Sequence, residues 1–322
     1  MRVLIIGGTG FLGPHVSAAC QRAGDEVFVT SRDCSRVSWP ADWAGQVTLL
    51  GADVLVPSSL SSAIEQARPE RVFLLAGFAH VSGAEAAAEE ALMINSIGTQ
   101  RALYAIKRLA PSARVLYAGS SYEYGPVPRD RQPIREEEPV DPRSTYGVSR
   151  VSGSIVARRF ALGEGLFVVR TRSFNHAGRR QKLEFAAPSF ADQLLRGRLR
   201  GERVVAIKTG DLNVVRDFSG VEAAATAYRA LIEEGRSGEV YNVCAGEPLR
   251  LGDLLERIAA VVGVEAAPER DQARLRVSES LQVVGDPRKL ERVTGVTLRG
   301  SLEAAIKGLV RERENALTMS AS

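Results

Sequence analysis

The chain is short of the residues that staple, ligate or insert. Its three cysteines, Cys20, Cys34 and Cys244, stand far apart among 322 residues with no CxxC or metal-like spacing. Neither a disulfide framework nor a metal site is expected, and reduced thiols point to a cytoplasmic protein. No run approaches the roughly 18 apolar residues of a membrane span, so no membrane partner is expected. The opening MRVLIIGG has a charge and a short apolar run that stops at glycine. That predicts a first β-strand, since a signal peptide needs a longer apolar core and a cleavage site. Charge is not concentrated either. The net +4 arises from arginines scattered along the chain, without the stripe and interleaved aromatics of a nucleic-acid surface. A pocket for an anionic small molecule is the simpler reading. Low-complexity segments and internal repeats are absent.

What is present is alternation. Apolar runs at 2–7, 26–31, 47–53, 71–77, 114–120 and 166–172 read as strands, separated by helical stretches around 13–23, 58–67, 85–109 and 145–162. Strands apolar on both faces, alternating with helices, predict a parallel sheet covered on each side: an α/β, doubly wound, Rossmann-type fold. The second half is less regular. VRDFSGVEAAATAYRALIEEG (215–235) reads as a short strand and a helix, and EVYNVC (239–244) as a strand. The expected division is a dinucleotide-binding domain over 1–172 plus about 212–244, and a smaller, discontinuous α/β substrate lobe over about 173–211 and 245–312. A loose tail is expected over 313–322.

IIGGTGFLG follows the first strand and opens a helix, with Gly7, Gly10 and Gly13 at GxxGxxG spacing around Phe11 and Leu12. Glycines there permit a tight turn and a close backbone approach to a pyrophosphate, whose charge then meets a helix N-terminus. The second strand ends VFVTSRD. Ser31 occupies the place of the acid that would bind the adenosine ribose of NAD, and Arg32 follows, suited to a 2′-phosphate. NADP(H) is therefore favoured, with NAD(H) possible. The bland alternative is that Arg32 is a surface charge and Asp33 caps a turn.

GSSYEYG (119–125) at the end of the fifth strand and STYGVSR (144–150) complete the pattern. With the glycine motif, these resemble the extended short-chain dehydrogenase/reductase family, in its nucleotide-sugar branch. Further similar stretches are GAD ending at Asp53, LLAGFAHV, MINSIGTQRAL, RSFNHAG, VVRDFSGVE and VYNVCAGEP. The resemblance implies a catalytic Ser120, Tyr146 and residue 150, which is lysine in the family and Arg150 here. It also implies dinucleotide contacts from Gly7, Gly10, Phe11, Leu12, Gly13, Ser31, Arg32, Asp53, Val54, Leu75, Ala76, Gly77, Tyr146 and Arg150. The chemistry is consistent with the residue types. A tyrosine becomes a better acid beside a cation, residues i and i+4 share a helix face, and a serine hydroxyl can hydrogen-bond the reacting oxygen.

Within the branch, RTRSFNHAGRRQ is similar to the GDP-mannose-related enzymes. The later stretches are similar to the reductases of GDP-6-deoxy-4-keto-mannose. Substrate contacts implied by that likeness are Ser121, Tyr122, Asn175, Arg180, Arg216, Arg274, Arg276 and Glu279. Arginine forks also suit a diphosphate on physical grounds. Arg179-Arg180 replaces the family's Pro-Gly. The family's sugar 4,6-dehydratases place a glutamate at the position of Tyr122, while Glu123 is one residue off, so dehydration is disfavoured. The expected function is NADP(H)-dependent reduction of the C4 ketone of a GDP-linked 4-keto-6-deoxyhexose by a homodimer. The alternatives are a nucleotide-sugar 4-epimerase, a 4,6-dehydratase, or a non-catalytic protein that binds NADP(H) or a nucleotide sugar. His80 and His176 read as structural, REEEP (135–139) as a solvated loop, and the alanine-rich helix at 84–92 as one that often forms a dimer interface in this family.

Overall fold

A computed structural model of the chain describes residues 1–37, 47–79, 81–274 and 280–319. The first half builds strands β1 (Arg2–Ile6), β2 (Glu26–Ser31), β3 (Val47–Gly51), β4 (Arg71–Leu74), β5 (Arg114–Ser120) and β6 (Val168–Ser173). Beyond them come β7 (Asn175–Ala177), β8 (Val204–Thr209), β9 (Val215–Gly220) and β10 (Val240–Val243). The last strands are β11 (Pro248–Arg250), β12 (Glu265–Arg270) and β13 (Gln282–Val283). The large sheet is parallel and seven-stranded, in the order β10-β6-β5-β4-β1-β2-β3. The order reverses beside β1, so the carboxyl ends of β1 and β4 flank a crevice, the usual place for a ligand in such sheets.

Helices cover both faces, as strands apolar on both sides require. On one side α2 (Pro57–Ala67), α5 (Thr99–Leu109) and α6 (Thr145–Gly163) bury Leu60, Ile64, Leu103, Ile106 and Phe160 against Leu4, Ile6 and Val72. On the other, α1 (Gly13–Arg22) and α8 (Val221–Glu234) bury Val16, Cys20, Leu231 and Ile232 against Ile5 and Val29. Each fully buried aliphatic side chain of this kind contributes about 1.5–3 kcal/mol, so two such layers fix the sheet and the crevice at its edge.

A second core joins α7 (Ala186–Leu199), α9 (Leu251–Val262) and α11 (Leu302–Met319). Beside it lie a small sheet, in which β9 pairs with β7, β11 and β13, and the parallel ribbon β8–β12. Here the structure departs from the sequence reading at three places. β9 belongs to the small sheet, although 212–244 is grouped above with the nucleotide domain; only α8 and β10 join the large sheet. The segment from 313 is not a loose tail, because α11 continues to Met319 and Leu317 is buried in the second core. The helix expected over 85–109 is broken into α3 (Val81–Ala86), α4 (Ala88–Leu92), a π-helical segment Met93–Gly98 and then α5. A π-turn inserts an extra residue per turn and is often found at functional sites. Among the described residues, no helix is long and apolar enough to cross a membrane, and no group of His, Cys, Asp and Glu is placed to hold a metal ion.

Candidate functional site

The glycine-rich turn connects β1 to α1. Gly7 adopts φ +78°, and a Cβ there would meet Ala76 Cα at 2.4 Å. At Gly13 a Cβ would meet the carbonyl oxygen of Gly8 at 2.0 Å. Both positions are closed to any side chain. Gly10 is different: a Cβ there meets nothing nearer than 3.7 Å, so its bareness leaves open space in front of the α1 N-terminus. A turn whose backbone N–H groups face an open cradle fits a pyrophosphate. The loop is pinned from behind, where Gly7 N donates to Thr30 Oγ1 at 3.0 Å, and Leu75 N and Ala76 N both donate to Ile6 O.

At the end of β2, Ser31 is buried and its hydroxyl donates to Asp33 O at 3.0 Å. Asp33 turns its carboxylate back to Ser35, accepting from the backbone N–H and the hydroxyl. It therefore caps a turn, while Arg32 is exposed at the sheet edge. Asp53 likewise accepts from Leu55 N at 2.8 Å, and Val54 is buried beneath it.

Tyr146 and Arg150 lie in the first turns of α6 and are 9% and 6% exposed. Two devices start this helix at that point. Ser144 caps it, accepting from Gly147 N at 3.1 Å, and Glu85 on α3 accepts from both Thr145 N and Thr145 Oγ1. The Tyr146 ring packs edge-on against Tyr122, with centroids 5.5 Å apart, and sits beside buried Ala84 and Ala91. The 84–92 segment thus forms a wall at Tyr146.

Arg150 reaches back under the sheet edge. Nη2 donates to Ala118 O, and Nη1 donates to Asn95 Oδ1 at 3.3 Å. Nε is buried and makes no hydrogen bond within the protein. Burial pushes the guanidinium's pKa down, but the surrounding Tyr117, Tyr146 and Glu123 more than offset that, and it stays charged. Asn95 holds the arrangement from the π-helical segment. Its Oδ1 also accepts from Phe78 N at 2.8 Å, and its Nδ2 donates to Phe78 O and to Ser149 Oγ.

Ser120 ends β5 and begins a single 3₁₀ turn, Ser121–Glu123. Its hydroxyl accepts from Tyr122 N at 3.3 Å, while Glu123 Oε1 accepts from Ser120 N at 3.0 Å, a reciprocal cap that fixes the serine. The other Glu123 oxygen accepts from Arg172 Nε at 3.1 Å. Glu123 is fully buried; burial raises its pKa against the pull of Arg172. Its carboxyl is therefore committed to the protein, and Tyr122 is the residue that packs on Tyr146.

Across from this turn, Arg216 on β9 donates to the carbonyl of Val215 at 2.8 Å, and burial pushes its guanidinium pKa down. Asn175 Nδ2 donates to Asp217 O at 3.1 Å. Arg180 holds a left-handed backbone, φ +66°, at the position of the family's glycine. Its N–H donates to Glu312 on α11, and Arg179 approaches the same carboxylate. The Arg179 carbonyl meets His15 Nε2 at 3.1 Å, so this loop is tied to α1 as well. Arg274 is exposed and is spent on Ser189 Oγ and Asp271. Arg276, Glu279 and His80 lie outside the described residues.

Sequence reasoning passes over Asn95, Glu85, Glu123 and Arg172 as parts of the site. Asn95, Glu123 and Arg172 lie within family-like stretches, MINSIGTQRAL, GSSYEYG and RSFNHAG; Glu85 carries no such signal. The acidic loop at 135–139 is also more than solvated: Glu136 accepts from Asn242 N at 2.9 Å, and its carbonyl accepts from Arg172 Nη1.

Fold and site together define a dinucleotide-binding α/β protein with a tyrosine, a serine and a buried cation at the sheet's carboxyl edge. A structure described as RMD from Pseudomonas aeruginosa complexed with NADPH superposes with a TM-score of 0.83 at 29% identity, covering 98% of each chain. One described as a putative epimerase from Burkholderia cenocepacia gives a TM-score of 0.85 at 28% identity, covering 98% of each chain. In sequence, the GDP-6-deoxy-D-mannose reductase of Pseudomonas aeruginosa is 32% identical over 309 residues, 95% of this chain and 96% of that one. The chain belongs to the NAD dependent epimerase/dehydratase family, whose model matches residues 3–244.

Proposed function

We propose that this chain is an NADP(H)-dependent reductase of the C4 ketone of a GDP-linked 4-keto-6-deoxyhexose. The dinucleotide lies on the Gly7–Gly13 turn, with Arg32 toward the adenosine phosphate. The nucleotide sugar enters between the Ser120–Tyr122 turn and the small lobe, where Asn175, Arg180 and Arg216 face it; the family resemblance adds Arg274, Arg276 and Glu279 as contacts. The carrying observation is a phenol at the head of α6 beside a buried guanidinium, with Glu123's carboxyl withheld by Arg172 and Ser120. The reductase relative and the NADPH complex support the substrate and the cofactor.

The cofactor, when bound, supplies hydride to the ketone carbon. Tyr146 donates its phenolic proton to the ketone oxygen, which becomes the hydroxyl of the alcohol product. The Ser120 hydroxyl hydrogen-bonds the same oxygen as charge builds on it. Arg150 keeps a positive charge at the tyrosine at every physiological pH, since a guanidinium does not deprotonate in proteins. Elimination of water by a 4,6-dehydratase would need a carboxyl to shuttle protons, and Tyr122 stands in that place.

The test is NADPH consumption with a GDP-4-keto-6-deoxyhexose. One NADPH should be oxidised for each ketone reduced, and Tyr146→Phe should lower kcat on the order of 100-fold or more with NADPH binding retained. If the ketone is turned over without net loss of NADPH, the reductase reading is wrong. We further propose a homodimer. Val148, Ile155 and Leu162 recur every seventh residue on α6 and are 43%, 60% and 63% exposed; Tyr104, 60% exposed, meets α6 through Phe160.

A further inference from the structure

The exchange of lysine for arginine at position 150 needs room, and the structure shows where the room is found. A guanidinium is bulkier and flatter than an ammonium. In this chain its Nη1 lies in the notch between Asn95 and the backbone of residue 77. A Cβ built on Gly77 would stand 2.5 Å from Arg150 Nη1, 2.9 Å from Asn95 Oδ1 and 3.7 Å from Arg150 Cζ. The first contact is well inside van der Waals distance, and Nη1 has no slack to give. Its partner Nη2 is held by the Ala118 carbonyl, and Asn95 is held at both ends by Phe78 and Ser149.

The backbone does not demand glycine here. Gly77 is absent from the residues with positive φ, so alanine is conformationally acceptable at this position. The only penalty on a methyl group at 77 is what it touches, and what it touches first is the arginine.

We infer that Gly77 is a positioning residue for Arg150: its missing side chain is the space that lets a guanidinium stand at this catalytic position and reach both Ala118 and Asn95. A methyl there would tilt the guanidinium out of the notch, breaking its bond to Asn95 and moving the charge relative to Tyr146. Lysine lacks the Nη1 branch. With the guanidinium gone, the remaining approach inside 3.7 Å is Asn95 Oδ1 at 2.9 Å, which asks for a smaller adjustment than the 2.5 Å contact to Nη1. The functional part of this inference rests on the reductase reading; the steric part does not.

A four-protein cycle separates the two: wild type, Gly77→Ala, Arg150→Lys and the double variant. The readouts are melting temperature without cofactor, the NADPH dissociation constant, and kcat/KM for ketone reduction. Beside the native Arg150, Gly77→Ala should lower the melting temperature by several degrees and weaken NADPH binding and kcat/KM about tenfold or more. In the Arg150→Lys background the same substitution should change each by a clearly smaller factor, so lysine rescues the alanine variant. An equal or larger effect beside lysine, or no effect beside arginine, overturns the inference. Should Gly77→Ala fail to fold, recovery of folded protein in the double variant supports the pairing, and failure of both sinks it. Melting temperature and NADPH binding need no sugar. A missing ketone reduction in wild type would therefore overturn the reductase reading while leaving the steric pairing measurable.

Discussion

His176 shows how one side chain sets an acid limit. Its Nδ1 meets Ser219 Oγ at 2.8 Å, and Nε2 is buried without a hydrogen-bond partner. Burial lowers its pKa to about 4, against 6.5 for a free imidazole. The unfolded chain therefore takes up a proton that the native chain refuses between these values. Native stability is lost as the pH falls from 6.5 toward 4, by up to about 3 kcal/mol. Asp217 works with the opposite sign. Burial lifts its carboxyl to about 6, although Ala245, Gly246 and Gly285 all donate N–H groups to it. The native state is thus favoured as the pH falls through about 6 toward 3.8. Because the two oppose each other, the variant is more diagnostic than the wild-type curve. His176→Gln should reduce the fall in melting temperature between pH 7 and pH 5 by roughly 4 °C. A fall as steep as in wild type would show that His176 does not carry the effect. The sequence marks His176 as a structural residue, but its titration depends on what surrounds it, which no local pattern records.

Elements explain why the site is partly readable. The glycine turn, the end of β5 and the head of α6 each announce themselves within a few residues, because turn chemistry, capping and periodicity are local. Their partners do not. Glu85 caps α6 from 60 residues away, and Asn95 reaches Arg150 across 55. Such pairings depend on how α3 and the π-helical segment pack against α6, and the unbroken helical pattern over 85–109 conceals both breaks. The same holds for Glu123: a strand-like reading sets its side chain opposite to Tyr122, and the 3₁₀ turn then commits it to Arg172. Glu85→Ala tests the cap. Loss of a charged acceptor at an N-terminus costs about 1 kcal/mol, a melting-temperature drop on the order of 2 °C in a chain of this size. Since Tyr146 is the next residue, kcat should fall severalfold, and Glu85→Asp should recover part of it. A stability loss with unchanged kcat would limit Glu85 to holding the fold.

At the scale of the whole molecule, the large sheet is legible because its strands, the edge strand β3 apart, are apolar runs buried on both faces. The small lobe is not. β7, β9, β11 and β13 are two to six residues each and come from segments far apart in the chain. Their alternation is too brief to read, so the sequence shows β9 as a strand but groups it with the nucleotide domain, while its pairing is with β7, β11 and β13. The heptad of apolar residues on α6 makes a further prediction at this scale. If Val148, Ile155 and Leu162 meet a second copy, Ile155→Arg should convert a dimer to a monomer in light scattering after size exclusion. An unchanged mass would remove this face from the assembly.

The grip of Glu312 on the Arg179-Arg180 loop has a practical consequence. Through that carboxylate the last helix holds the loop, and through the Arg179 carbonyl the loop holds His15, two residues beyond Gly13. The amino-terminal α1 and the last helix α11 are thereby joined in one mechanical circuit that runs through the Arg179-Arg180 loop and ends behind the glycine-rich turn. Shortening the carboxyl terminus, or tethering a purification handle close to α11, is an intervention at the heart of the enzyme rather than at its margin.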